Sequence, residues 1–517
     1  MVVVEPLGAR VARWARRQPD ARAVISGDTV ITYAELDRLA DAVAAGFGVH
    51  GVGRGDVVAY LGRNSVVHPL LMTAASRHGA IFVSLNWRST SCELDAVLTD
   101  CAPRVVVVQE EFTDLLGDSP SGSIVVVAAN DPARLLTWAE QAGRGFTAAV
   151  DDPAGVSDPD TDIAALTYTS GTTGAAKGVA LSAAQLDAYL TREVPWSMRP
   201  GDVALIVSPV FHIAGWGWVG IALTHGACVL LVPDPQPMRI TQAIREHGAT
   251  LTLMVPTLVQ SLLDEPATAT ALNSLRMVTY GAASITPELI ERLRAAAPRA
   301  ELAQGYGLSE SGGTITALGP EDHGAGSPYL TSVGRALPGI AIAVFDPDND
   351  RPVADGALGE IRTRSDQNCA GYLHRPEATE RLYRDGWLCT GDLGRIVGGY
   401  VYLAGRLDEV INSGGEKVAP TELERVIARI PGVAEVCVLG TADRRWGQAV
   451  TAVVVRAPDA TIEADDVIAA CRAELARYKC PRRIEWAHSL PRTPSGKVSR
   501  RQVRDAIEGV TSATAAE

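Results

Sequence analysis

Apolar residues first fall into helical register after Thr32. Leu36, Leu39, Val43 and Phe47 recur at three- and four-residue steps, which sets them on one face of a helix. Thr32 and Glu35 form a capping-box pair, in which each side chain satisfies a backbone N–H that the first turn leaves unpaired. A helix is therefore expected to start there. Short β-rich runs follow, DVVAYL, AIFVSL, RVVVVQ and SIVVVA, with a helical stretch around Leu70–Ala75. Continuous apolar strands alternating with helices predict a largely parallel sheet covered on both faces. The pattern continues through VALIVSP, ACVLLVP, TLTLMVP and RMVTYG.

The most apolar stretch runs from Val203 to Val232, but Pro209, His212, several glycines and His225 interrupt it. It lacks the ~20 clean apolar residues of a membrane span and reads as buried strand, loop and helix. The texture changes near residue 400. YVYLAGRLDEVI leads into a Gly-rich turn, SGGEKV, then a helix pattern near Pro420, strand runs AEVCVLG and AVTAVVVRA, a helix around 463–477 and a short strand, RRIEWA. The expected architecture is a large α/β N-terminal domain, with mostly parallel sheets covered by helices, and a small α+β C-terminal domain. The boundary is placed at Arg406–Glu409, giving domains 1–407 and 408–517.

A chain of 517 residues exceeds one hydrophobic core, in keeping with two domains. The formal charge of 47 − 60 = −13 argues against non-specific nucleic-acid binding, while leaving room for a local basic groove. The eight cysteines are scattered without a CxxC pair or a zinc-like Cys/His spacing, so buried free thiols in a reducing cytosol are expected. The segment MVVVEPLGAR lacks a basic n-region and a long apolar core, so it is not read as a signal peptide, and a cytoplasmic location is expected.

Among the 47 basic residues only Lys177, Lys417, Lys479 and Lys497 are lysine. Arginine is the default cation in this chain, so a lysine marks a place where a compact point charge can matter. Lys177 and Lys497 lie in segments rich in Gly, Ser and Thr, TSGTTGAAKG and PRTPSGK. Lys417 and Lys479 stay open between retention by chance and function. In Thr167–Gly178, which follows the apolar run IAAL, three glycines permit a tight loop whose backbone N–H groups face a phosphate. Ser170, Thr172 and Thr173 add hydroxyls and Lys177 adds charge. Lys177 is followed by Gly178 rather than Ser or Thr, so this is not a Walker A loop.

Together with QGYGLSE at 304–310, GWLCTGD at 386–392, GRLDEVI at 405–411 and PSGK at 494–497, this loop resembles the adenylate-forming superfamily of acyl-CoA synthetases, aryl-CoA ligases, luciferases and peptide-synthetase adenylation domains. The resemblance spans nearly the whole chain and is closest to acyl- or aryl-CoA ligases. One departure is Ala176, where the family usually has proline. The resemblance implies an ATP-binding set of Thr169, Ser170, Gly171, Thr172, Thr173, Gly174, Lys177, Gly305, Tyr306, Gly307, Asp392, Arg406 and Lys497. Glu310 and Thr169 would hold Mg²⁺, Tyr306 would pack on adenine, and Asp392 would accept the ribose hydroxyls. Lys497 would reach the α-phosphate and the attacking carboxylate, with His212 beside the acyl pocket as a third candidate catalytic residue after Lys497 and Glu310. That pocket would be lined by Trp216, Trp218, Tyr280, Gly281, Ala282, Gly305, Gly312 and Gly313, with Trp387 packing nearby. Asp408 would be the hinge of a mobile small domain, and Gly414, Gly415, Trp446 and Arg477 would meet CoA.

The implied reaction is carboxylic acid plus ATP to an acyl-adenylate and pyrophosphate, then displacement of AMP by CoA. A medium-chain fatty or aromatic acid is the expected substrate. The implied partners are that small-molecule acid, ATP and CoA, with no nucleic acid and no integral membrane segment, and a homodimer is allowed. Two alternatives stay open within the chemistry: transfer to a carrier-protein thiol or an amine, and activation of a non-carboxylate oxyanion such as nitrite in secondary metabolism. A catalytically inactive nucleotide-binding protein is the alternative from another class.

Overall fold

The structure is a computed structural model that describes residues 4–117, 123–127, 131–141, 162–169, 176–283, 285–414, 416–492 and 498–514. They form two compact units: Met1–Ile342 with Thr363–Cys389, and Ala343–Arg362 with Thr390–Glu517.

The first unit holds two sheets. One runs Arg335–Ala336, Gly313–Leu318, Glu301–Leu308, Met277–Gly281, Leu251–Met254, Val203–Ile206, Cys228–Leu231, Arg22–Ser26, Thr29–Thr32. Its inner pairings are parallel, and its two edges are antiparallel. The other runs Gly371–Tyr372, Lys177–Ser182, Ile163–Thr169, Ile81–Leu85, Val57–Leu61, Val105–Val108, Ile124–Val127. It too is parallel inside and antiparallel where Ile163–Thr169, Lys177–Ser182 and Gly371–Tyr372 meet. The expected α/β class holds, with antiparallel edges added.

The helix Tyr33–Val49 starts where the sequence places it, with the Thr32–Glu35 capping box formed and Leu36, Leu39, Val43 and Phe47 buried. The apolar stretch 203–232 resolves into strand Val203–Ile206, a loop, helix Ile213–Thr224 and strand Cys228–Leu231. That helix is buried from Gly215 to Thr224, so it carries no amphipathic period. Among the described residues, no helix is long and apolar enough to cross a membrane.

His68 lies wholly inside this unit, its Nε2 2.9 Å from the Ser84 hydroxyl, with the Tyr60 and Phe82 rings edge-on at 5.5 and 5.2 Å. Burial lowers its pKa to about 3. Protonation therefore favours the unfolded chain, and the stabilising contribution is full above the unfolded pKa of ~6.5 and lost as pH falls towards 3. The fold is expected to lose about 2 kcal/mol between pH 7 and pH 5 through this residue. Chemical denaturation at both pH values, for wild type and His68→Phe, checks this; an equal pH dependence in the two proteins removes His68 as the cause.

The second unit carries a sheet ordered Glu416–Val418, Ile411–Ser413, Gly447–Arg456, Val433–Asp443, with Arg483–Ala487 added in parallel to Gly447–Arg456. Side chains alternate across it as the strand period requires. Val450, Ala452 and Val454 pack with Leu423, Ile427 and Val467 of the helices Pro420–Ile427 and Ala464–Glu474, whereas Val453 and Val455 face Val503 of helix Arg500–Thr514. The α+β texture expected for the C-terminal part is present.

Candidate active site

In the first unit the Ser/Thr/Gly segment joins two antiparallel strands, Ile163–Thr169 and Lys177–Ser182, with Thr169 opposite Lys177. Ser170, Gly171, Thr172, Thr173 and Gly174 lie outside the described residues, as do Gly415 and Lys497. Lys177 Nζ stands 5.0 Å from the centre of the Tyr372 ring. The Tyr372 hydroxyl donates to Glu310 Oε1 at 2.9 Å. The structure thus brings Lys177 and Glu310 together through a tyrosine that the sequence reading did not single out. Its sequence signal was weak, a Gly-Tyr pair in CAGYLHRP that forms a two-residue edge strand on Lys177–Ser182.

Glu310 lies in the turn between strands Glu301–Leu308 and Gly313–Leu318. Four hydrogen bonds, from 367–369 and within the turn, hold the backbone of this segment. Cys369 N–H donates to the Glu310 carbonyl at 2.9 Å. The buried Gln367 amide donates to the carbonyls of Ser311 and Thr314, both at 3.0 Å. Ser311 Oγ donates to the Gly313 carbonyl at 2.7 Å. Gly312 has φ +65°, and a Cβ there would overlap the Gln367 carbonyl oxygen, so the turn requires glycine. Gln367 is in turn gripped by Arg192, which also pairs with Asp366 and donates to the Pro338 carbonyl at 2.8 Å. Burial, aided by the Glu310 charge, pushes the Cys369 thiol up to about 12, which leaves it unreactive beside the turn. Cys369 is one of six buried free cysteines; Cys92 is exposed and Cys389 is partly so.

A carboxylate with one oxygen engaged by a neutral donor keeps its charge and its second oxygen. That donor set fits Mg²⁺, which takes one or two carboxylates together with phosphate oxygens and water.

The expected acyl-pocket residues divide by burial. Gly281 and Gly305 are Cα partners on parallel strands, and a Cβ on Gly281 would overlap the Gly305 carbonyl oxygen. Ala282, exposed at the strand end, has φ +63°, a left-handed conformation that non-glycine residues adopt only when their surroundings impose it. Gly313 has φ +110°, and Tyr306 is half-buried at the margin of the core. Trp216 and Trp218 are each 3% exposed. Trp216 Nε1 donates to Thr167 Oγ1 at 3.1 Å, and Trp218 stacks with Trp196 at 6.4 Å. Both sit in the core. Tyr280 is fully buried; its hydroxyl donates to His323 Nε2 at 2.7 Å while His323 Nδ1 donates to the Gly319 carbonyl at 2.7 Å. Burial raises the Tyr280 pKa and lowers that of His323, so the pair stays neutral and anchors the strand Met277–Gly281.

His212 precedes helix Ile213–Thr224 and its ring lies 4.6 Å from Phe211. The approach to it is held by Asn64, another residue without a sequence signal. The Asn64 amide donates to the carbonyls of Ile206 and Ser208 at 3.3 and 3.0 Å and accepts from Val210 N–H at 3.0 Å.

In the second unit Asp392 and Arg406 face each other across a hairpin. Arg406 Nη1 lies 3.0 Å from Asp392 Oδ1, and its Nε lies 3.7 Å from Asp408 Oδ1. The expected ribose acceptor, its neighbouring cation and the expected hinge therefore form one linked set. Gly414 N–H donates to the Trp446 carbonyl at 2.8 Å. The guanidinium groups of Arg482 and Arg445 lie 3.8 and 5.0 Å from the centre of the Trp446 ring. Arg477 is exposed. The remaining described lysines are committed elsewhere, Lys417 to Asp348 at 3.0 Å and Lys479 to Glu422 at 2.7 Å.

Residues 11–373 match the AMP-binding enzyme family, and residues 422–497 match the AMP-binding enzyme C-terminal domain. A fatty acid–[acyl-carrier-protein] ligase, ScoC, of Streptomyces coeruleorubidus is 33% identical over 96% of this chain and 95% of its own. A feruloyl-CoA synthase of an Amycolatopsis species is 34% identical over 96% of this chain and 98% of its own. Among solved structures, ATP-bound MatB from Rhodopseudomonas palustris superposes with a TM-score of 0.88 at 30% identity, over 98% of this chain and 100% of that one.

Proposed function

The chain belongs to the AMP-binding enzyme family, and from that premise we propose that it is an AMP-forming acid–thiol ligase that activates a carboxylic acid with ATP and passes the acyl group to coenzyme A. The observation that carries this reading is the approach of Lys177 and Glu310 through Tyr372, next in sequence to a segment rich in Gly, Ser and Thr. An acid attacking the α-phosphate of ATP brings two anions together, so the site must hold positive charge and donors where negative charge grows.

In the first step the substrate carboxylate attacks the α-phosphorus, and the bond to the β-phosphate oxygen breaks to release pyrophosphate. Ser170, Thr172, Thr173 and Lys177 cradle the β- and γ-phosphates, Tyr306 packs on adenine, and Asp392 takes the ribose hydroxyls beside Arg406. Glu310 and Thr169 are the residues that would hold Mg²⁺, which when bound neutralises phosphate charge. Lys497 follows the negative charge at the α-phosphate. In the second step the small domain turns about Asp408, Lys497 withdraws, and the CoA thiol attacks the acyl carbon and expels AMP. Gly414 and Gly415 border the pantetheine arm, with Trp446 and Arg477 towards the nucleotide end. Gly281, Ala282, Gly305, Gly312 and Gly313 border the acyl pocket, His212 stands beside it, and the buried tryptophans set its rear wall. A medium-chain fatty or compact aromatic acid fits such a wall.

A second acceptor, a carrier-protein thiol, is favoured by the likeness to ScoC, whose name gives acyl-carrier protein as its acceptor. Pyrophosphate release across an acid library, followed by transfer assays with CoA, holo-carrier protein and simple amines, separates the readings. Adenylation that yields thioester only with holo-carrier protein overturns the CoA assignment, and no pyrophosphate release from any acid overturns the ligase.

Glu310→Gln tests the metal assignment. The amide keeps an oxygen but loses the charge, so the Mg²⁺ concentration for half-maximal pyrophosphate release is expected to rise about tenfold or more. An unchanged Mg²⁺ titration takes Glu310 out of the metal site.

A further inference from the structure

We infer that Tyr372 is a positioning residue that keeps Lys177 and Glu310 close together but out of an ion pair, so that the cation stays available to phosphate and the carboxylate to metal. The inference rests on the ATP-dependent reading above and adds a residue to it. Its basis is a contrast among the three described lysines. Lys417 and Lys479 have each closed onto a carboxylate, at 3.0 and 2.7 Å. Lys177 has not, although Glu310 is reached through one side chain. Its ammonium stands 5.0 Å from the Tyr372 ring centre, within cation–π range. The far end of the same ring donates to Glu310 Oε1 at 2.9 Å. The tyrosine is therefore both a spacer and a tether: its ring face carries the positive group, and its hydroxyl fixes the negative one without neutralising it.

The backbone supports the arrangement from both sides. Tyr372 pairs with Val179 on the strand that begins at Lys177, which sets ring and ammonium at a fixed register. Three residues earlier, Cys369 N–H holds the Glu310 carbonyl at 2.9 Å, and Gln367 holds the carbonyls of Ser311 and Thr314. One segment, 367–372, thus fixes both the backbone and the carboxylate of Glu310. Without the ring, a flexible lysine and a nearby carboxylate would close on each other, and each would lose the charge its ligand needs.

Two variants separate the two roles. Tyr372→Phe keeps the ring and removes the hydroxyl; Tyr372→Leu removes both. Calorimetry measures binding of ATP with excess EDTA and with saturating Mg²⁺, and thermal unfolding checks each variant. Wild type is expected to bind ATP more tightly with Mg²⁺. Tyr372→Phe should lose about tenfold of that Mg²⁺-dependent gain and bind Mg²⁺-free ATP as wild type does. Tyr372→Leu should lose the gain and also bind Mg²⁺-free ATP more weakly. A general loosening of the fold would lower both affinities together in Tyr372→Phe, and that result overturns the inference. So does a Mg²⁺-dependent gain in Tyr372→Phe equal to that of wild type. A wild-type protein that binds ATP without any gain from Mg²⁺ overturns the Glu310 metal site itself, and this inference with it.

Discussion

Replacing Lys497 with alanine is expected to slow acyl-adenylate formation about 10²–10³-fold, which corresponds to ~3–4 kcal/mol of transition-state stabilisation. The size follows from what the residue is proposed to do. The chain uses arginine almost everywhere and keeps four lysines; two are spent on exposed or half-exposed ion pairs, contacts worth little to stability. Lys497, in PSGK, lies outside the described residues, and its role comes from the family motif. A small mobile ammonium is suited to charge that appears only as the carboxylate attacks and pyrophosphate leaves. In the second half-reaction charge grows on the leaving AMP phosphate only after Lys497 is proposed to have withdrawn, so attack of CoA on supplied acyl-AMP should stay close to the wild-type rate. Measuring pyrophosphate release and thioester formation from synthetic acyl-AMP on the same preparation decides the matter. Equal loss in both steps would place Lys497 in the fold or in a site common to both, and would end its assignment to adenylation.

The sequence made local features legible and left non-local ones hidden. The Thr32–Glu35 cap could be read because its partners are three residues apart and need nothing else. The stretch 203–232 could be read because a proline, several glycines and two histidines break an apolar run as a buried strand, loop and helix would. The phosphate loop, Glu310 and Asp392 stand out in the sequence because each sits in a dense motif. Tyr372 and Gln367 could not. They act on a turn 53 to 62 residues earlier, and a tyrosine after glycine in a short edge strand has many uses. Lys417 and Lys479 show the reverse failure. Their scarcity marked them out, but the carboxylates that hold them, Asp348 and Glu422, lie 69 and 57 residues away and give no local pattern. Trp216 and Trp218 stand out in a Gly-rich aromatic segment, and both are buried because helix Ile213–Thr224 is enclosed from Gly215 onwards.

Asp408→Pro is expected to separate the two half-reactions, sparing acyl-adenylate formation and reducing thioester formation by at least tenfold. Asp408 lies in the short turn Leu407–Glu409, directly after strand Tyr400–Arg406. Proline is tolerated in the first turn of a helix, where the missing N–H has no partner to lose, and Asp408 stands in such a turn. What it removes is freedom: φ is fixed near −65°, and a residue that must change its backbone angles between two catalytic states can no longer do so. The contacts around the turn bear on the proposed hinge. Asp408 lies 3.7 Å from Arg406, which is also paired with Asp392. Its neighbour Glu409 lies 2.7 Å from Arg500, at the start of the helix that follows the Lys497 segment. A rotation at 408 would therefore pull on the ribose-side pair through one contact and on the Lys497-bearing segment through the other. Because Asp408→Pro also deletes the carboxylate, Asp408→Ala is the necessary companion: it removes the ion pair and leaves the backbone free. If Asp408→Ala transfers to CoA near the wild-type rate while Asp408→Pro does not, and circular dichroism shows both folded, the loss belongs to the fixed angle. If Asp408→Pro makes thioester at the wild-type rate, the small domain does not turn on this residue, and the functional boundary at 407/408 has no support.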